Sequence, residues 1–208
     1  MKSIGNKIAP KDQTESLHFL LLLCRKTQGC YREFGFIETI RRIFRELFHL
    51  FNKPDSRLDI SPLTEELAIG AAPRSIDALR DLRSLNFTDI IDLRAERKSS
   101  DILTWTEGVH VNWIPTYDDW KPKPPDFFRR LSYVLNNILS SDIGKKVLIC
   151  CGAGEHRSPL AGVLGLVNMG YSLESALSKV QQARPISELL PVYKLSLVHF
   201  LKERRSDF

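Results

Sequence analysis

One short run of the chain, residues 151–158, combines a thiol, a guanidinium and a hydroxyl at a spacing that suits chemistry on an anion. Cys151 lies six positions before Arg157, and Ser158 follows directly. The residues between the thiol and the guanidinium are Gly152, Ala153, Gly154, Glu155 and His156. The apolar run 147–150 precedes Cys151, and a helix-like stretch follows Ser158. This order predicts a strand, a tight loop and a helix start, which is a common arrangement for binding anions through backbone N–H groups.

Several residue types in this run fit an anion-binding role. Arg157 can hold two phosphate oxygens at once. Gly152 and Gly154 permit the backbone angles that a tight loop needs, and Pro159 suits the first turn of the following helix. A thiol that faces such a loop is favoured as the thiolate, because N–H groups and a guanidinium stabilise the anion. The run therefore predicts that Cys151 is a thiolate in an anion site.

The spacing resembles the signature of the cysteine-dependent phosphatases, which is Cys, five residues, Arg, and then Ser or Thr. The glycine at the third place after the cysteine and the Ser-Pro after the arginine resemble the dual-specificity branch. The resemblance implies that Cys151 is the nucleophile, Arg157 holds the phosphate, and Ser158 donates a hydrogen bond to the departing thiolate. It also implies that residues 152–156 bind the substrate phosphate.

Cys150 departs from the family pattern, and Glu155 is unusual in an anion-binding loop. Cys150 stands where the family usually has a histidine, and it either points into the core on the opposite face of its strand or serves as a redox partner of Cys151. Glu155 is expected to face outward, where it would repel highly phosphorylated substrates. His156 is expected to be an exposed rim residue.

A phosphoester also needs a proton for its leaving oxygen. In the dual-specificity branch the general acid lies in a mobile loop between two prolines, and Asp118 lies three residues after Pro115 and four before Pro122. Asp119 is the second candidate. The alternative without a catalytic role is that the two aspartates only begin a turn before a proline-rich bend. The expected reaction has two steps through a phosphocysteine. It requires no metal or cofactor, because Arg157 and the loop supply positive charge.

From about residue 58 the pattern alternates between strands and helices, which predicts an α/β fold with a central, mostly parallel sheet flanked by helices. The predicted strands are 58–60, 67–70, 88–93, 109–114 and 147–150, and the predicted helices are 73–85, 126–139, 159–168, 173–183 and 189–203. The resemblance to the dual-specificity phosphatases covers about residues 58–202. Because ligands bind at the carboxyl ends of parallel strands, Cys151 and Asp118 are expected to meet across one cleft.

Composition places the chain among ordinary globular proteins. It has 208 residues, 43% of them hydrophobic and 26% charged, which suits one domain with an extension. Four cysteines and no recognisable signal peptide predict a reduced, cytoplasmic protein. The whole excess of positive charge, +5, lies in residues 1–57. The predicted organisation is a basic helical extension, 1–57, followed by a catalytic domain, 58–208.

The extension contains two apolar segments. The run 17–24 is too short to cross a bilayer. The segment Phe34–Phe51 is amphipathic, with aromatic residues on one side and arginines on the other. Such a helix can pack on the catalytic domain, lie peripherally on an anionic membrane surface, or enter a groove of a partner protein. Nucleic acid is not an expected partner, because the catalytic half carries no net charge and no basic stripe.

The sequence leaves several functions open. The first is a phosphatase that acts on phosphotyrosine, phosphoserine or phosphothreonine of proteins, or on a small phosphomonoester. The second is a pseudophosphatase that only binds phosphorylated partners, which the loss of the usual histidine favours. A phosphoinositide phosphatase is a third alternative, although lipid-directed relatives often carry lysine where this loop has Gly152 and Glu155. A thiol-based oxyanion reductase or sulfur transferase also uses such a loop, but it does not explain Asp118.

Overall fold

The structure, a computed structural model, describes residues 58–96, 108–141 and 144–206, and five short stretches near the amino terminus. Those stretches are 27–28, 30–32, 35–37, 39–41 and 43–44. The strands are β1 Ile60–Pro62, β2 Leu67–Ala71, β3 Asp89–Arg94, β4 His110–Thr116 and β5 Val147–Cys151. The labelled helices are α1 Ile76–Ser84, α2 Pro125–Ser141, α3 Arg157–Asn168, α4 Leu173–Ala183 and α5 Pro191–Ser206.

The five strands form one sheet in the order β1-β2-β5-β3-β4. β1 is antiparallel to β2, and the other neighbouring strands are parallel. This confirms the predicted α/β fold with a mostly parallel sheet. β5 is central and all five of its residues are buried, so its carboxyl end opens between the ends of β2 and β3. That edge is where a doubly covered parallel sheet binds ligands.

Helices cover both faces of the sheet. The larger apolar cluster contains side chains of α2, α3, α4 and α5, and the smaller one contains Leu82 of α1 with Phe87 and Leu148. α3 lies deep in the fold, because ten of its twelve residues are buried. A helix this enclosed holds its amino terminus at a fixed distance from β5, and the loop 152–156 connects the two.

The element bounds follow the predictions with small shifts that have local causes. The helix predicted from residue 73 begins at Ile76, because the Ser75 hydroxyl accepts a hydrogen bond from Ala78 N (3.1 Å) and caps it. Ser172 caps α4 in the same way by accepting a hydrogen bond from Ser175 N (3.1 Å). α3 starts at Arg157 rather than at Pro159, so the guanidinium belongs to the helix and not to the loop.

The described residues between 27 and 44 are helical, in agreement with the predicted helical extension. Cys30 is buried and belongs to the larger apolar cluster, so this segment contacts the domain. The apolar run 17–24 and much of Phe34–Phe51 lie outside the described residues. In the part of the chain that the structure describes, no helix has the length and apolarity needed to cross a bilayer.

Candidate active site

The thiol of Cys151 lies at the carboxyl end of the central strand β5 and is buried. Its Sγ is 3.5 Å from the hydroxyl oxygen of Ser158, which also donates to the carbonyl oxygen of Gly70 (3.1 Å). A hydroxyl has one proton and can turn it to either acceptor. Ser158 is therefore placed to donate to a Cys151 thiolate.

The guanidinium of Arg157 is held from two sides at the start of α3, with only 3% of the residue exposed. Both terminal nitrogens donate to the Glu96 carboxylate at 2.7 Å, and Nη1 also donates to Thr116 O at 3.0 Å. Burial alone would lower the pKa of Arg157, but its hydrogen bonds to Glu96 and the charges of Asp118 and Cys151 outweigh burial and raise this pKa. Arg157 is thus a fixed positive charge.

One donor of Arg157 is not used by the protein. Among the described residues, no hydrogen-bond acceptor lies within reach of the buried Nε, and Asp118 Oδ2 is 4.0 Å away. Leaving a buried, charged N–H unsatisfied is costly. An anion bound in the loop would explain this arrangement, because it could accept the hydrogen bond that Arg157 Nε has left to donate.

The peptide groups of the loop are oriented so that their dipoles favour a bound anion. Three successive carbonyl groups accept hydrogen bonds from arginines: that of Gly152 from Arg74 (3.0 Å), and those of Ala153 and Gly154 from Arg184 (3.0 and 2.8 Å). In a trans peptide the N–H points opposite to the C=O. The N–H groups of residues 153–155 are therefore directed away from Arg74 and Arg184, as in an anion-binding nest.

The two neighbouring aspartates after β4 have different partners. Asp118 is largely buried, accepts a hydrogen bond from the Tyr193 hydroxyl (3.1 Å), and lies 3.2 Å from Nδ1 of His156 in the loop. Asp119 instead pairs with the buried Lys123 at 2.8 Å. The structure brings Asp118 to the loop, whereas Asp119 forms an ion pair within its own segment, residues 119–123.

Comparison with known proteins supports the fold. No protein-family model matches the chain, and no curated protein does. Human DUSP28 is similar in structure, with 18% identity, a TM-score of 0.61, and coverage of 72% of this chain and 99% of that one. Tk-PTP in its active form has 21% identity, a TM-score of 0.58, and coverage of 68% and 95%. PTPMT1 in complex with PI(5)P has 17% identity, a TM-score of 0.60, and coverage of 71% and 97%.

The chain has the dual-specificity phosphatase fold. Cys150 occupies the position directly before Cys151. Cys150 packs in the smaller apolar cluster, on the face of the sheet opposite to Cys151, as one of the two predictions stated. Burial and the charge of Asp92 raise the pKa of the Cys150 thiol well above its ordinary value. A neutral thiol on the far face is a poor redox partner for Cys151.

The structure contradicts the sequence prediction for His156. His156 is not an exposed rim residue, because only 5% of it is exposed. Its ring meets the edge of Trp120, with the ring centroids 5.8 Å apart, and its Nε2 is 3.7 Å from a Glu188 oxygen. Trp120 and Glu188 therefore bury His156, and because both lie in other segments, this burial could not be predicted from the loop residues alone.

Two arginines near the site make buried contacts. The guanidinium of Arg94 pairs with Asp92 (2.5 Å). Arg184 donates hydrogen bonds to the loop carbonyl groups of Ala153 and Gly154 and pairs with Asp59 (2.7 Å). Because Asp59 directly precedes β1, these contacts hold the loop beside the start of that strand.

Glu96 is the contact that sequence reasoning missed. Burial alone would raise the pKa of this carboxyl, but the hydrogen bonds and charge of Arg157 lower it below the usual value. Glu96 follows β3, whose carboxyl end lies at the same sheet edge as that of β5. An acidic residue placed two positions after a buried strand end is the signal that could have found it.

Of the two loop glycines, only Gly154 uses a left-handed backbone angle, with φ +73°. A Cβ there would lie 2.6 Å from Arg184 Nη2 and 2.7 Å from the Gly70 carbonyl carbon. Gly152 adopts no positive φ, and a Cβ there would meet Arg157 Nη2 at an ordinary 3.5 Å. The prediction that Gly152 is needed for its backbone angles was therefore wrong.

Gly154→Ala is expected to lower the free energy of unfolding by about 3 kcal/mol or more, since backbone strain and overpacking add. Gly170→Ala is the matched control, because its φ is +95° but the space around it is open. That variant should lose only about 1 kcal/mol. Urea denaturation of both variants measures the difference, and equal losses would contradict the packing described for the loop.

Proposed function

We propose that this protein is a cysteine-dependent phosphatase that hydrolyses phosphomonoesters. The observation that carries the proposal is the buried, unused Nε of Arg157 in the same site as the Cys151 thiol. The orientation of the loop peptides and the dual-specificity phosphatase fold support it. A site with fixed positive charge and a thiol suits transfer of a phosphoryl group to sulfur.

The proposed reaction has two steps. In the first, Cys151 Sγ attacks phosphorus, an S–P bond forms, the ester P–O bond breaks, and Asp118 gives its proton to the leaving oxygen. In the second, water attacks the phosphocysteine while Asp118 takes a proton from it. The S–P bond then breaks, and the thiolate departs with a hydrogen bond from Ser158. Arg157 and the loop amides hold the phosphoryl oxygens in both steps.

Asp118 is proposed as the acid because it is the aspartate that reaches the loop. Asp118→Ala should slow hydrolysis of a poor leaving group such as phenyl phosphate by about 10²-fold or more, measured as kcat. Asp119→Ala is the matched control and should act mainly on stability, since it leaves the buried Lys123 without its carboxylate partner. If Asp119→Ala lost as much kcat as Asp118→Ala, the choice of Asp118 as the general acid would be contradicted.

The substrate class is proposed from charge. Glu96, Glu155 and Glu188 surround the loop, and the side chains of Glu96 and Glu188 are about one-third exposed. These carboxylates disfavour ligands with several phosphates, such as phosphoinositides. We infer that phosphotyrosine, and phosphoserine or phosphothreonine, of proteins are better substrates. PTPMT1, which has this fold, was solved with PI(5)P, so phosphoinositides belong in the same assay panel.

A pseudophosphatase is the second candidate. It is favoured by Cys150, which replaces the histidine expected beside the nucleophile, and by Glu96, which already neutralises Arg157. The assay that separates the two is hydrolysis of p-nitrophenyl phosphate between about pH 5 and pH 8, with chelator and reductant present. Turnover supports the enzyme. Binding of tungstate without turnover supports the pseudophosphatase.

We also infer that the amino-terminal helical segment contacts an anionic membrane surface. Phe36, Ile37 and Phe44 are 67–70% exposed, and the Arg41 side chain is exposed on the same segment. Aromatic residues beside arginine suit the headgroup region of anionic lipids. The contact of Cys30 with the core would keep the domain close to that surface.

Co-sedimentation with vesicles tests the membrane contact. The full chain should pellet with phosphatidylserine vesicles and not with phosphatidylcholine vesicles. Phe36→Ser/Phe44→Ser should abolish pelleting, whereas Tyr133→Ser, at an equally exposed site on α2 (69%), should not. If the wild-type chain stays in the supernatant with both vesicle types, the segment only packs on the domain.

A further inference from the structure

The Asp118 carboxylate is held through both of its oxygens by different parts of the fold. Oδ1 accepts a hydrogen bond from the Tyr193 hydroxyl on α5, and Oδ2 lies 3.2 Å from Nδ1 of His156 in the loop. Burial and the nearby Asp118 charge raise the pKa of Tyr193 well above its ordinary value, so the phenol keeps its proton and donates. The carboxylate is therefore fixed in rotation as well as in position.

His156 cannot easily turn away from this contact. Its Nε2 faces Glu188 at 3.7 Å, and Glu188 N donates to the carbonyl oxygen of Glu155 (2.7 Å). Trp120, from the same segment as Asp118, packs its ring against the imidazole. The imidazole thus lies between two carboxylates and an aromatic ring, with 5% of the residue exposed. A side chain enclosed in this way has lost its rotamer freedom before any substrate binds.

We propose that His156 is a positioning residue that docks the acid segment, residues 117–121, onto the phosphate-binding loop by holding Asp118. The proposal rests on the proposed function, since it takes Asp118 as the general acid. A group inside the loop then fixes the acid relative to Cys151 and Arg157. Because a small displacement of a reacting group can cost a large factor in rate, this contact should matter for protonation of the leaving group.

Leaving-group dependence in the full chain tests the proposal. His156→Ala should reduce kcat on phenyl phosphate by about 10- to 100-fold, with a much smaller loss on p-nitrophenyl phosphate, whose leaving group needs no proton. His156→Asn keeps a side-chain N–H near the position of Nδ1, and should recover most of the loss. His110→Ala, at an exposed site on β4, is the control and should leave both rates unchanged.

A double-mutant cycle with Asp118→Ala sharpens the test. If His156 acts through Asp118, then Asp118→Ala/His156→Ala should be no slower on phenyl phosphate than Asp118→Ala alone. Three results would each overturn the proposal: equal losses on both substrates in His156→Ala, no recovery in His156→Asn, or additive losses in the double variant.

A measurement that needs no turnover separates this proposal from the proposed function. In protein labelled with ¹⁵N-histidine, the His156 Nδ1 resonance should shift in Asp118→Asn and stay in place in the exposed-site control Asp126→Asn. If wild-type protein hydrolyses neither substrate but the shift occurs, the phosphatase assignment fails and the docking contact stands. If turnover is normal and no shift occurs, the proposed contact between His156 and Asp118 is wrong and the phosphatase assignment stands.

Discussion

Replacing Cys151 by serine should lower kcat for p-nitrophenyl phosphate by at least about 10⁴-fold, because the hydroxyl is a far weaker nucleophile than the thiolate at neutral pH. The oxygen of serine occupies nearly the same place, so the positive charge of Arg157 and the loop dipoles remain. Binding of tungstate should therefore persist in Cys151→Ser. The combination of lost turnover and retained anion binding distinguishes loss of the nucleophile from loss of the fold.

Cys150→Ser is the matched control, since it makes the same change one residue earlier on the opposite face of the sheet. A hydroxyl in that apolar cluster is expected to lower stability modestly, with most of the activity retained. If Cys150→Ser lost as much activity as Cys151→Ser, the roles of the two thiols would have been assigned wrongly, or both would be required in a redox reaction.

Replacing Arg157 by lysine should reduce kcat/KM by about 10²- to 10³-fold, although the charge is kept. The three N–H groups of a lysine leave a single nitrogen, so they cannot reproduce the two parallel hydrogen bonds to Glu96 while a separate nitrogen donates to the substrate. The loss should appear both in kcat and in tungstate affinity, because the same donor serves ground state and transition state. Steady-state kinetics and titration with tungstate measure the two effects.

Arg74→Lys is the control for the arginine prediction. Arg74 also contacts the loop, through Gly152 O at 3.0 Å, but it is exposed and lies on the carbonyl side. Its replacement should change kcat/KM by much less than that of Arg157. Comparable losses would show that general positive charge near the loop matters, rather than the buried donor of Arg157.

Much of the site was predictable because it is local in sequence. The loop 151–158 carries the proposed nucleophile and the arginine proposed to bind phosphate, and the buried character of β5 places it at the centre of the sheet. The resemblance to the dual-specificity phosphatases favoured Asp118 over Asp119 through its spacing to two prolines, and the structure places Asp118 and not Asp119 beside the loop. The strand, loop and helix start around residues 151–158 depend on backbone preferences that a sequence displays directly.

The contacts that hold the loop could not be predicted in the same way. Glu96 reaches Arg157 across 61 positions, and Arg184 reaches Gly154 across 30. Each is an ordinary charged residue in its local context, and only the order of the strands brings it to the loop. His156 was misjudged for the same reason, since its burial comes from Trp120 and Glu188 in two other segments.

The most direct test of the proposed chemistry is to trap the covalent intermediate. Full-length protein is mixed with ³²P-labelled phosphotyrosine peptide, quenched in acid within milliseconds, and digested for peptide mapping. A labelled phosphocysteine is expected on the peptide that contains Cys151, with no more than one phosphate per chain, and no label is expected in Cys151→Ser. Turnover of the peptide without a phosphocysteine, or label on a different residue, would contradict it.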